Sequence, residues 1–588
     1  MKKIIHGKRS ILVISIIIFI LNYYKVLGLD PILDDFCLFN YEDTITFSYR
    51  SIFDRFNFDE KRIDPFEQSV ITWQVWWTDS KLQSRFFRPV SSMLYYMDER
   101  IPGRSPYTFR IHSLLWGILF IIACNGAIGR AVGGMAGGIA TLAIAVSPVV
   151  DISIIWISNR CHLVAMVFSV LSVYFYLRHR DKSLRCAPYL MFLFLILALG
   201  SSEMGCSGLI TVYILELGRS EQAENKGFTL LIPFIGIGAA YAAVYTLGKY
   251  GVKNSGYYIH FLSDPYLYLK AFLARYPLLL GGSLGLILSH APEGIYPPYV
   301  YVAVFLIVIS FSYGFYLSVR EEDSQSKNRI FMLFIAGLIS LIPMVSAPPT
   351  YRSLMISICP FAGILAYQIC SIKKVLKREG KFARAFYLAW SAFIAFSLFF
   401  VNPGAQETVK KYFTDYASQT RRIIMESEIE SAKTFNDHIF AINSISPIFD
   451  NTYMAFTYNY YHRPHWIGYW YVMTMTEKPL RLTVLDRSRI EISLLEGDIL
   501  SHAGSGLFRK RDKSFRKGDV INHSRLVVKI LDVADGIPTR FVFEFPTPVD
   551  NPNYRFVTWE DGRFVKVDLP AAGQSLEFKA PALPKIFL

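Results

Sequence analysis

Charge is scarce in this chain. Only 18% of its 588 residues are Asp, Glu, Lys or Arg, while 52% are hydrophobic, a balance far from that of a soluble globular domain. Cysteine is thin as well: Cys37, Cys124, Cys161, Cys186, Cys206, Cys359 and Cys370 mostly lie inside or beside apolar runs with no paired spacing, so neither a zinc site nor a disulfide framework follows. After Pro403 there is no cysteine at all, and redox usage does not identify the compartment of that segment. Internal repeats and low-complexity tracts are missing. The opening MKKIIHGKRSILVISIIIFILNYY has the basic and apolar parts of a secretory signal but lacks a small-residue cleavage site. It reads as a retained first span with a cytoplasmic N-terminus. A net charge of +14 raises the question of nucleic acid. No groove-reading motif accompanies it, and the Lys and Arg fall largely in short links between apolar runs, where they orient spans; nucleic acid is not expected as a partner.

What the chain has in abundance is long apolar runs. A spanning helix needs about 20 mostly apolar residues, and candidates lie at 10–28, 112–129, 132–150, 162–178, 187–201, 203–218, 228–247, 299–318, 329–347, 353–371 and 383–402. The stretch 266–288 is ambiguous, because Lys270 and Arg275 interrupt it and Pro277 can kink it. Treating it as juxtamembrane or re-entrant leaves about eleven spans, with the basic links RHRDKSLR (178–185) and KKVLKREGKFAR (373–384) on the cytoplasmic side. The long loop 29–111 and everything after 403 then lie on the outer face. The expected fold is a polytopic α-helical membrane domain over 1–403, followed over 404–588 by a polar helix and short β runs that suggest a small β-sandwich. Asp535-Gly536 and Asp561-Gly562 are hairpin-turn signals within it.

Five clusters carry possible chemistry. Asp34 and Asp35 follow the first span, with Asn40, Glu42 and Asp43 close behind; a carboxylate at a membrane face can serve as a general base once partial burial raises its proton affinity, or it can simply start a solvated loop. Arg85 and Arg88 precede a semi-apolar run, where guanidinium forks suit phosphate and equally suit interfacial anchoring. Asp151 and Arg160 flank a short element entering a span, either as functional groups or as an ion pair that locks the loop. His112 and His162 on apolar faces read as packed helix histidines. Glu203 sits in a tight link between two apolar helices, as a second acid facing Asp34 or as part of a cap with Ser201 and Ser202. Arg352 stands at the mouth of another span, as a clamp for a leaving phosphate or as a snorkelling cation.

In this order the clusters resemble the GT-C membrane glycosyltransferases, especially the protein O-mannosyltransferase group and the transmembrane O-mannosyltransferases that carry tetratricopeptide repeats. The resemblance covers roughly residues 10 to 372. Asp34-Asp35 with Asn40 is similar to that group's Asp-Asp…Asn segment after span one, and Arg88-Pro89 with PYTFRIH (106–112) to its Arg-Pro…His approach to span two. SP…WISNR (147–160) is similar to its Pro…Trp-Ile-x-x-Arg stretch before the fourth span, and Ser201-Ser202-Glu203 to its Ser-Lys-Glu link. Ser202 stands where relatives often have Lys, Asp151 where they often have His, and no tetratricopeptide pattern follows, so the acceptor is not carried over.

The resemblance implies an inverting transfer of a sugar from a polyprenyl-phosphate carrier to an acceptor hydroxyl of a glycan, lipid or protein. Asp34 would be the base with Asp35 beside it, and Glu203 would orient the acceptor or support the base. Arg88, Arg160 and Arg352 would meet the phosphate, with Lys270 and Arg275 behind them and Arg85 and Asp151 at the same cavity. It implies no cofactor and no metal. The expected location is a bacterial inner membrane, with the segment after 403 in the periplasm. A lipid or oligosaccharide transporter and a non-catalytic assembly protein share the many apolar helices. Transport, however, favours inverted repeats and charges at mid-membrane, whereas the charges here cluster at the outer ends of spans.

Overall fold

The computed structural model describes residues 2–40, 53, 55–58, 75–100, 105–218, 228–285, 296–429, 437–444, 454–462, 467, 469–500, 503–523 and 525–581. Among these residues six helices are long and apolar enough to cross a membrane: Pro106–Val132, Ile157–Arg180, Pro298–Val319, Ser324–Ser346, Tyr351–Cys370 and Lys381–Glu426. Three shorter apolar helices cover Ser10–Tyr23, Ala187–Leu199 and Leu231–Leu247. The expected eleven runs thus resolve into fewer helices of spanning length, and 203–218 holds a helix of only 12 residues, Cys206–Leu217. Large apolar side chains stand uncovered at helical spacing, Leu115, Leu119 and Ile122 on one spanning helix and Val302, Phe305 and Ile309 on another. Such stripes are what lipid-facing helices present.

Two expected spans depart from simple rods. The run 132–150 is broken into Gly134–Ala145 and Pro148–Ile155, which meet at 54°. Pro148 forces the residue before it out of the helical region, and Ser147 is extended (φ −97°, ψ 134°), its hydroxyl capping the new helix by accepting from the Val149 amide at 3.3 Å. The last span does not end near 402. Pro403 has no amide to give and its ring crowds the carbonyl one turn back, so the helix widens into a π turn at Ser397–Val401 and continues as the polar helix Asn402–Glu426. The ambiguous stretch near 266–288 forms the helix Pro265–Ser283, which is not among the helices of spanning hydropathy.

The C-terminal part is β-rich, with one surprise. The strands are β3 (His438–Ala441), β4 (Tyr469–Val472), β5 (Leu480–Val484), β6 (Arg489–Leu494), β7 (Val520–His523), β8 (Leu526–Ala534), β9 (Ile537–Glu544), β10 (Tyr554–Glu560), β11 (Arg563–Lys566) and β12 (Ser575–Phe578), after β1 (Gln83–Arg85) and β2 (Gly251–Lys253) of the membrane part. The six-stranded sheet β12-β5-β6-β9-β8-β7 is antiparallel throughout. Its β8–β9 hairpin turns at Asp535-Gly536, and the β10–β11 hairpin at Asp561-Gly562, all four residues at positive φ as the sequence signal requires. The four-stranded sheet β11-β10-β3-β4, however, pairs β10, β3 and β4 in parallel. Parallel neighbours need a crossover, and the helix Met454–Tyr461 supplies it between β3 and β4. The C-terminal part is therefore mixed α/β, not the plain β-sandwich expected.

This part is seated on the first long loop. Trp76 lies 4.9 Å from Phe541 and donates to the Met473 carbonyl at 2.9 Å, which plugs the loop into the six-stranded sheet and the end of β4. The crossover helix packs on the short helix Asp35–Asn40, with Phe36 5.4 Å from Tyr460. The Tyr461 hydroxyl donates to Asp30 at 3.0 Å.

Candidate active site

Three segments meet where the first span ends. Arg110, fully buried on the helix Pro106–Val132, donates to the carbonyls of Leu29, of Asp30 (2.8 Å) and of Ile155 (2.9 Å). One guanidinium thereby staples the link that carries Asp34 and Asp35 to the end of the broken helix that carries Trp156. Sequence reasoning did not single out Arg110; its signal was a lone cation at the start of an apolar helix.

The two acids then part ways. Asp35 is completely buried, and its carboxylate accepts the amides of Ser158 (2.7 Å) and Ile157 (3.2 Å). Burial pushes its pKa up to about 6, with Arg110 and those amides pulling the other way. It is a structural bolt. Asp34 is half-buried and accepts the indole Nε1–H of Trp156 at 2.5 Å, with the Ser158 hydroxyl as a further hydrogen-bonding neighbour. Burial first, and the neighbouring Asp35 second, raise its pKa to about 7 against the hydrogen bonds that oppose them. A half-buried carboxylate titrating near neutrality has the properties of a general base.

Over the ring of the same indole stands Arg352, its guanidinium 5.9 Å from the Trp156 ring centre. It forms no ion pair among the described residues, which leaves a half-buried cation available to an anion. Glu203 and Arg88 complete the cluster. Arg88 grips one Glu203 oxygen with Nη2 at 2.7 Å and Nε at 3.1 Å, reaches the Cys161 sulfur at 3.4 Å, and lies 4.4 Å from the Phe86 ring. Tyr245 donates to the other Glu203 oxygen. Burial acts to raise the Glu203 pKa, but Arg88 and the two donors outweigh it and hold the carboxyl below its ordinary value. Glu203 is therefore an ionised partner of Arg88. The capping alternative also holds, since Ser202 accepts from the Met204 amide at 3.4 Å while its hydroxyl meets His162 Nδ1 at 2.6 Å. Asp34, Arg88, Glu203 and Arg352 all lie close enough to act electrostatically on the Cys161 thiol.

Other expected residues lie elsewhere. Arg160 is buried and paired with Asp98, which also holds His112 Nδ1 at 2.5 Å; it carries no spare charge for a phosphate. Asp151 does not pair with Arg160. It is fully buried between the Tyr23 hydroxyl and Gln406 Nε2 (2.8 Å) and ties the broken helix to the helix leading into the C-terminal part. Arg85 donates to the Gly248 carbonyl at 3.0 Å and lies 4.6 Å from the Tyr250 ring. Arg275 is half-buried and donates to the Val345 carbonyl at 2.9 Å, and Lys270 is exposed beside Tyr266. The side chain of Asn40, and all of Glu42 and Asp43, lie outside the described residues. Among the described residues no group of His, Cys, Asp and Glu could hold a metal ion.

No family model and no curated protein matches the chain. Among solved structures, the Archaeoglobus fulgidus oligosaccharyltransferase, tethered with an acceptor peptide containing the NVT sequon, aligns at a TM-score of 0.41 and 13% identity over 77% of this chain and 63% of that one. The chain thus spans a little under two thirds of that protein. ArnT from Cupriavidus metallidurans bound to undecaprenyl phosphate aligns at 0.39 and 11% identity, over 79% and 85%. Likeness this distant assigns neither family nor activity.

Proposed function

We propose that the chain is a membrane glycosyltransferase of GT-C type that moves a sugar from a polyprenyl-phosphate carrier to an acceptor hydroxyl on the extracytoplasmic face of a bacterial inner membrane. The observation that carries this reading is the trio Asp34, Trp156 and Arg352: a half-buried carboxylate near neutrality at the Nε1 edge of one indole and, over the same ring, a cation without an ion-pair partner among the described residues. Asp34 takes the proton of the acceptor hydroxyl as its oxygen attacks the anomeric carbon. The bond from that carbon to the phosphate oxygen breaks with inversion, and the lipid phosphate leaves with both electrons toward Arg352. Glu203 neutralises Arg88 and fixes the cluster's wall. No step calls on a metal ion.

The helices that frame the site support this orientation. The helix Arg160–Arg180 starts beside Cys161 and ends in Arg178 and Arg180, and Tyr351–Cys370 starts beside Arg352 and runs into the basic helix Ile372–Arg378. The site and the basic links occupy opposite ends of the same spans, and the basic ends belong in the cytoplasm. The test is the glycolipid pool of cells lacking the protein, complemented with wild type or Asp34→Asn. A carrier-linked sugar that accumulates with the variant, at normal expression, supports the transferase. A pool restored by Asp34→Asn refutes it and leaves transport or assembly.

A further inference from the structure

The segment RKRDKSFRK at 509–517 sets six cations, Arg509, Lys510, Arg511, Lys513, Arg516 and Lys517, against one carboxylate, Asp512. Half of the cations are used internally. Arg509 stacks 3.6 Å from the Phe515 ring and donates to the Trp77 carbonyl, Lys510 pairs with Asp264, and Arg511 pairs with Asp498 at 2.7 Å. Lys513, Arg516 and Lys517 are exposed, and their side chains form no ion pair among the described residues; the one carboxylate contact is from the Arg516 amide to Asp519 at 2.8 Å.

The Lys510 to Asp264 pair decides what this segment lies beside. Asp264 precedes the first turn of the helix Pro265–Ser283, and a second tether runs from the Gly256 amide to the Gly506 carbonyl at 2.7 Å. Leu262, Tyr266, Leu269 and Leu273 stand 79%, 74%, 57% and 68% exposed. Within the helix the spacing of three and four residues puts Tyr266, Leu269 and Leu273 on one face, and Leu262 stands in the turn just before it. That helix packs on the spanning helix Pro298–Val319, whose Val302 and Phe305 are uncovered as well. Uncovered apolar surface is thus present on a span and on the helix Pro265–Ser283 packed against it, and the segment that carries the unpaired cations is tethered through Lys510 to that helix's N-terminal end.

We infer that this surface is a lipid-binding site separate from the transfer centre: the stripe from Leu262 to Leu273 lies in the interfacial layer, and Lys513, Arg516 and Lys517 bind the phosphates of anionic phospholipid headgroups. An apolar stripe beside a cationic rim is the pattern of an interfacial element on anionic lipid. A soluble polyanion would satisfy the charge but leave the stripe bare, which is why lipid is the better fit. Each cation near an anionic surface contributes about fivefold to the preference, so three amount to something on the order of a hundredfold, weakened by salt.

The test is lysine acetylation footprinting of the full chain in nanodiscs of phosphatidylcholine alone or mixed with phosphatidylglycerol. Lys513 and Lys517 should be protected in the anionic discs and reactive in the neutral ones. Lys579, which follows β12 at the opposite edge of the six-stranded sheet from β7, should react equally in both. In Lys513→Gln/Arg516→Gln, with an unchanged melting temperature, Lys517 should lose about 25-fold of its preference. Equal reactivity in the two lipids, or protection that survives the double substitution, overturns the proposal. So does protection by dextran sulfate in neutral discs where phosphatidylglycerol gives none, an outcome that assigns the rim to a soluble polyanion. None of these readouts depends on sugar transfer, so their failure leaves the transferase reading untouched.

Discussion

Replacing Trp156 by Phe isolates one hydrogen bond. Phe keeps an aromatic ring beside Arg352 but removes the Nε1–H that Asp34 accepts at 2.5 Å. A hydrogen bond to an ionised group contributes about 1.5 to 3 kcal/mol, and about 1.4 kcal/mol is one pKa unit. Because Asp34 is half-exposed, water replaces part of the loss, and the expected rise is about one unit, from about 7 toward about 8. The sign follows from the role: a base works ionised, so the rate climbs as pH rises through the folded-state pKa. At pH 7 the ionised share falls from about one half to about one tenth, a roughly fivefold loss, whereas near pH 9 both proteins are almost fully ionised and the difference nearly vanishes. The assay is transfer from a radiolabelled polyprenyl-phosphate sugar, identified from the glycolipid pool, by reconstituted protein across pH 6 to 9. A loss of equal size at every pH would refute the assignment of Asp34 as base and of Trp156 as the group that tunes it.

Asp34→Asn should lower turnover by about a hundredfold or more and flatten the pH profile, while the melting temperature stays the same or rises, because the buried charge is gone. Arg352→Gln should cut turnover and weaken binding of polyprenyl phosphate, measured by native mass spectrometry, without moving the pH midpoint. Arg160→Met strips the buried Asp98 of its guanidinium and leaves it His112 alone, at a cost of up to about 3 to 5 kcal/mol, so folded yield in detergent should fall. Trp76→Ala opens a cavity where the first loop enters the C-terminal part, at about 3 to 5 kcal/mol, and should expose the link between them to protease before the membrane helices are cut.

The parts of this protein written along the chain were readable from it. Long apolar runs imply membrane helices because backbone amides must pair internally in lipid, and Asp-Gly pairs imply tight hairpins because two successive residues take positive φ. The break at Pro148 and the π turn at Pro403 are equally local, but run length and hydropathy do not register the backbone demands of proline. The parallel β10-β3-β4 arrangement was out of reach, since β3 and β10 are separated by more than a hundred residues and short strands carry no mark of their neighbour.

Charge partners were likewise beyond the sequence. The chain displays Asp34, Asp35, Asp151, Glu203, Arg88, Arg160 and Arg352 as equals. Only the fold commits Asp35 to the amides of Ile32, Ile157 and Ser158, Asp151 to Tyr23 and Gln406, Arg160 to Asp98 and Arg88 to Glu203, and leaves Asp34 half-buried beside Trp156 and Arg352 without an ion pair among the described residues. Composition and period determine which segments enter the bilayer, because burial depends on each residue's own surface. Which ionisable group stays free depends on what approaches it from distant parts of the chain, and that only tertiary structure decides.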